Sequence, residues 1–263
     1  MRIRRRVVFN EERWKTTPWQ GRTKYATDFI LDILLQIPEI LQDLDYIDAL
    51  PPDNPRFNNL RLKVIAKCWN THCQLVAWST KYSDGFYQTD VEAPITIDFP
   101  NLGLASMSLK YWATATLLYH SLDRALRFSP HDNLEPYVDR PNARPFARLI
   151  VRSVRWLFRK ENGVTGATAV SFPLGVALMY LKQSEVPDED YMSLVFSVWS
   201  DPEWPSSIKD FLRSMGNAIK LPTRQIPDSS VAWSSRELEP IFDVDGNKLS
   251  GPDPSATRVH EVK

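Results

Sequence analysis

The stretch LASMSLKYWATATLLYHSLDRALRF (Leu104–Phe128) decides the fold. Leu104, Met107, Leu109, Tyr111, Trp112, Leu117, Leu118, Tyr119, Leu122, Ala125 and Leu126 recur at helical spacing and leave almost no polar face. A helix that is apolar nearly all round has to be covered on every side, so it belongs at the centre of a core. Ser129-Pro130 ends it, because proline cannot continue the backbone ladder. Whatever flanks this helix must supply apolar faces of its own.

The flanking sequence does so as further helices. On the N-terminal side, residues 13–24 are irregular, broken by Pro18 and Gly21. Thr23 or Thr27 is placed to cap a helix carrying Phe29, Ile30, Ile33, Leu34 and Ile37. Pro38 interrupts, and a short helix through Ile40, Leu41, Leu44 and Ile47 ends at Pro51-Pro52. A long helix follows from about Pro55 to Ser79, and then a loop over 82–101 in which the alternation at Ile95 and Ile97 is too short for a strand. On the C-terminal side, a polar linker (130–145) leads into a helix from Phe146 to Glu161, with Pro145 in its first turn and Gly163 as its terminal cap. Helices over 167–182, 188–199 and 203–219 complete the series. The expected fold is all-α, a single domain of about eight helices over residues 23–221. A basic, irregular segment (1–22) precedes it, and a Pro-, Ser- and Asp-rich tail (222–263), expected to be largely disordered, follows.

Composition narrows the function classes. The 263 residues carry 32 Lys and Arg against 32 Asp and Glu, which excludes a whole-chain basic footprint for nucleic acid. Nine glycines are few for nucleotide-binding loops. Two cysteines exclude a disulfide scaffold and a multi-cysteine zinc module. No apolar run follows the basic start Arg2, Arg4, Arg5 and Arg6, so no secretion signal is read and a soluble, intracellular protein is expected. That basic start reads as a solvated tail, or as an import or phosphate-contacting cluster. The most apolar stretch, 167–181, is too short to span a bilayer and contains Pro173, so no membrane is expected.

Constellations for chemistry are sparse. Cys68, His72 and Cys73 lack a fourth ligand, and the two thiols lie more than a hundred degrees apart on a helix, so they read as core thiols. Asp243-Val-Asp245-Gly-Asn247 begins like a calcium loop but lacks its later ligands. There is no nucleophile elbow. His120 beside Tyr119 reads as a core histidine or a tuned acid or base. Asp188-Glu189-Asp190 reads as helix-start acids, with a magnesium-diphosphate cluster as the enzymatic alternative. No cofactor, metal or catalytic residue is assigned. Arg144, Arg148, Arg152, Arg155 and Arg159 recur every three or four residues, making one helix face basic. Of these, Arg148, Arg152, Arg155 and Arg159 are candidates to hold phosphate or a partner, or to meet acidic helices such as the one opening at Asp188. Trp112, Tyr119, Trp156, Phe172 and Tyr180 are the candidate lining of an apolar ligand pocket, opened where Pro173 kinks its helix; the alternative is core packing. Gly166, Ala167, Ala169, Gly175 and Ala177 offer small surfaces for close helix approach.

The order of several segments resembles a known group. Glu12-Arg-Trp14-Lys-Thr-Thr-Pro18-Trp19, Leu31-Asp-Ile-Leu34 and Ile37-Pro38-Glu-Ile-Leu41 resemble the opening of the regulatory region in fungal binuclear zinc-cluster transcription factors. Tyr111-Trp112 with Leu117-Leu118-Tyr119-His120 fits the same group. So do Ala147-Arg-Leu-Ile-Val-Arg152-Ser153-Val154, Gly163-x-x-Gly166-Ala167 and Phe172-Pro173-Leu174. The resemblance spans roughly Arg13 to Leu221. It implies a non-enzymatic transcription-regulation domain in the nucleus, with the cytoplasm as the alternative. It also implies a lipophilic small-molecule ligand and a homo- or heterodimer with another regulator. The zinc cluster of that group needs six cysteines, so autonomous sequence-specific DNA binding is not expected of this chain. An interaction or scaffold protein that kept the fold, and a helical enzyme acting on an apolar substrate, are the competing expectations.

Overall fold

The computed structural model describes residues 7–51, 53–82, 94–127, 141–183, 188–200 and Asp210. The chain divides into two units, 1–221 and 222–263, and the second lies wholly outside the described residues. So do the basic start at 1–6 and nearly all of the expected helix over 203–219. Among the described residues the first unit is helical, with no strand. Its helices are α1 (Glu12–Thr16), α2 (Ala26–Leu34), α3 (Ile37–Ala49), α4 (Phe57–Lys81), α5 (Leu102–Arg127), α6 (Arg144–Leu157), α7 (Gly163–Gln183) and α8 (Glu189–Ser200).

The opening stretch is α5, and it is the common wall of two cores. Ala105, Leu109, Trp112 and Ala113 pack with α6, α7 and α8, through Ile150, Val154, Leu157, Leu174, Leu178 and Val195. Leu118, Tyr119, Leu122 and Leu126 pack with α2, α3 and α4, through Ile30, Ile40, Leu44, Val64 and Leu75. Every residue from Trp112 to Tyr119 is buried. Such a helix can hold hydroxyls because each bonds back to its own backbone. Ser108, Thr114, Thr116 and Ser121 donate to the carbonyls of Leu104, Lys110, Trp112 and Leu117, at 2.9, 2.7, 2.8 and 2.7 Å.

Helix boundaries differ from expectation where a local contact competes with the periodic pattern. Neither Thr23 nor Thr27 caps α2; Asp28, in its first turn, instead accepts the Tyr25 backbone N–H at 2.9 Å. Pro38 lies in the first turn of α3 rather than between helices, where its missing N–H costs nothing. α6 stops at Leu157, earlier than expected, and a 3-10 turn over Lys160–Asn162 carries the chain to Gly163, whose φ is +50°. Gly163 therefore turns the chain into α7 instead of capping α6. Three residues on, a Cβ at Gly166 would stand 2.1 Å from the Leu157 carbonyl oxygen, so only glycine allows α7 to start this close to the end of α6. α7 runs unbroken through Pro173, which is buried. The segment Lys160–Gln183 is long and apolar enough to cross a membrane, beyond the sequence expectation for this stretch. Within the fold, Val170, Leu174, Ala177 and Leu178 on that segment are buried in the core.

Candidate functional site

The five aromatics expected to line one apolar pocket do not come together. Trp112 and Trp156 meet through Phe99, whose ring lies 6.1 Å from the first and 5.2 Å from the second. Tyr119 belongs to the other core, 5.7 Å from Phe146. Tyr180 is half-buried and meets His120 edge-on at 5.4 Å. Phe172 is half exposed on the outer face of α7. The alternative, core packing, holds for Trp112, Tyr119 and Trp156. Their rings bury too much area to be left lining a void when neighbouring helices can close on them.

The arginine stripe is also drawn inward. Arg148 donates through Nε to Asp188 Oδ1 at 2.8 Å, and Arg144 reaches Asp188 Oδ2 at 3.2 Å. The Arg148 guanidinium also covers the Tyr191 ring at 4.6 Å. The Asp188 side chain is fully buried, so these contacts clasp the start of α8 onto α6. Arg152 is itself buried and donates to the Ile95 carbonyl at 2.7 Å, while its own carbonyl accepts the Ile97 N–H at 3.0 Å. Arg159 makes a two-pronged pair with Asp98, both bonds at 2.9 Å. The stripe thus straps residues 95–99 to α6, pressing Ile97 and Phe99 into the core. Arg155 and Arg159 are exposed, whereas Arg148 is half-buried and Arg152 buried. Three of the four candidates thus meet partners inside the fold, Arg148 at Asp188, Arg152 at the Ile95 carbonyl and Arg159 at Asp98, which is the alternative of a face meeting acidic groups.

The remaining sequence candidates resolve individually. Cys68 is buried, and burial pushes its thiol up to about 12; Cys73 is exposed, which corrects its reading as a core thiol. His72 Nδ1 lies 3.1 Å from the Tyr119 hydroxyl, joining α4 to α5. Burial pushes the His72 imidazole below its ordinary value and the Tyr119 phenol above its own. Among the described residues, no three His, Cys, Asp or Glu side chains converge to hold a metal.

A cleft of about 650 Å³ opens elsewhere, between α2, α4 and the segment that precedes α2. α4 contributes Asn70, Gln74, Ala77, Trp78 and Lys81, a stripe at spacings of three and four, with Tyr82 just beyond. α2 contributes Phe29, Asp32 and Ile33, and Gln36 follows. Asn10, Glu12 and Lys15 form the third wall. Lys24 fastens that wall: it pairs with Asp32, donates to the Lys15 carbonyl at 3.1 Å and lies over the Trp19 and Phe29 rings at 5.5 and 5.1 Å. Trp78 is buried and donates through Nε1 to the Ala26 carbonyl at 2.9 Å. Gln36 donates to Gln74 at 2.7 Å, joining the end of α2 to α4. The Asn10 Oδ1 is buried and accepts no hydrogen bond from the protein. The sequence reading missed this site. Its signal was the polar run Asn70, Gln74 and Lys81 on one face of a long helix, which reads equally as a solvated surface.

No protein-family model, curated protein or solved structure matches the chain.

Proposed function

We propose that residues 23–221 form a non-enzymatic, regulatory-type domain of a transcription regulator, one that senses a ligand and contacts partner regulators. In this reading the six-cysteine cluster that reads DNA lies outside these 263 residues, in the same protein or in another, since two cysteines cannot supply it. The observation that carries the reading is the order and spacing of the resembling segments. The same segments make the load-carrying parts of the helical unit: α2 and α3 on one side of α5, α6 and α7 on the other. A cleft beside the Trp14–Trp19 segment gives sensing a place to occur. A nuclear location and a homo- or heterodimer belong to the same proposal, and a lipophilic ligand belongs to it only if it also carries polar groups, since the cleft is mixed in character.

The test fuses the whole 263-residue chain to an unrelated DNA-binding module and reads a reporter downstream of that module's site in a fungal cell, with the fluorescently tagged chain localised in parallel. The expected result is a changed reporter output and nuclear enrichment. A silent reporter with a cytoplasmic chain overturns the reading. A silent reporter with a stable co-purifying partner favours the scaffold alternative.

A further inference from the structure

We infer that the cleft between α2, α4 and the Asn10–Lys15 wall is a binding site for a small aromatic molecule bearing one carboxylate, with Lys81 as its anchoring cation. The lining is mixed: Phe29, Ile33, Ala77, Trp78 and Tyr82 give it apolar and aromatic surface among polar side chains. The cations at its edge are not equivalent. Lys24 is committed to Asp32 and to the Lys15 carbonyl. Lys81 has no carboxylate partner among the described residues; its ammonium rests over the Phe29 and Tyr82 rings at 5.5 and 5.3 Å. Contact with aromatic faces holds an ammonium in place without neutralising it, so its N–H donors stay available to an anion. Lys15 stands in the opposite wall as a second cation. Of the acids in the lining, Asp32 is paired with Lys24, which leaves Glu12 against Lys15 and Lys81. That balance suits a single negative charge and disfavours a polyanion such as a diphosphate.

The inference rests on the sensing half of the proposed function, but it is tested on the purified chain without any reporter. The probes are 2-naphthoate and its neutral counterpart 2-naphthamide, titrated calorimetrically into the full chain and into Lys81→Gln, Lys15→Gln and Arg155→Gln, each checked for native circular dichroism. The expected result is saturable binding of 2-naphthoate to the unaltered chain and to Arg155→Gln. Lys81→Gln should weaken it about 10-fold, the scale of a charge-assisted hydrogen bond, and Lys15→Gln by less. The amide should bind the unaltered chain about as weakly as the acid binds Lys81→Gln. Binding of acid and amide with equal affinity overturns the inference, as does acid binding that Lys81→Gln leaves unchanged or the absence of saturable binding up to about 1 mM. A chain that binds the acid in this pattern but leaves the tethered reporter silent keeps this inference and overturns the regulator reading.

Discussion

His72 and Tyr119 illustrate how a part-buried polar pair ties two helices and makes stability depend on pH. The imidazole is held below its ordinary value by burial, so the unfolded chain takes up a proton at this position before the folded chain does. The sign follows directly: the unfolded state binds more protons as pH falls through about 6.5, so stability declines there and levels off below the folded-state value. His72→Gln removes that linkage. The stability difference between the unaltered chain and His72→Gln, from urea unfolding at several pH values, should be constant above about pH 7.5 and shrink as the pH falls below about 6.5. A difference that stays constant over that span contradicts the account. The histidine was visible in the sequence, but its partner was not. Tyr119 is 47 residues away, and only the packing of α4 on α5 brings the two together.

At the scale of the elements, the arginine stripe of α6 is the clearest case of a pattern legible in sequence whose purpose was not. Spacing of three and four placed the arginines on one face, and the acidic start of α8 was a readable partner; Asp188 fills that role. Asp98 and the Ile95 carbonyl were unreadable as partners, since the strap they lie on has no helical period and the whole of α5 separates it from α6 in sequence. Because the Asp188 carboxylate is fully buried between two guanidinium groups, removing it takes away a counter-ion that both share. Asp188→Ala should therefore destabilise the chain by about 3 kcal/mol, read as a lowered urea midpoint. A loss within about 0.5 kcal/mol, the range of ordinary surface substitutions, contradicts the clasp. The aromatic pocket failed as an expectation for the opposite reason. Tryptophans and tyrosines at helical spacing carry the same signal whether they line a void or fill one, and here neighbouring helices close over Trp112, Tyr119 and Trp156.

At the scale of the whole molecule, the sequence of α5 announced the architecture. A helix with no polar face needs cover on both sides, and it receives α2, α3 and α4 on one side and α6, α7 and α8 on the other. What no local pattern could announce was where two helices would fail to meet closely and leave the cleft, because that depends on how the Asn10–Lys15 wall is fastened by Lys24. Because Leu109 and Leu118 sit on one continuous helix, the two cores that share it are expected to unfold together. Native-state hydrogen exchange of the full chain measures this directly, by the protection of amides along α5 from Ala105 to Leu126. The account predicts that both halves of α5 exchange only through global unfolding, with one common free energy matching that from urea. Two separate levels, one for the half packed on α6, α7 and α8 and another for the half packed on α2, α3 and α4, would contradict it.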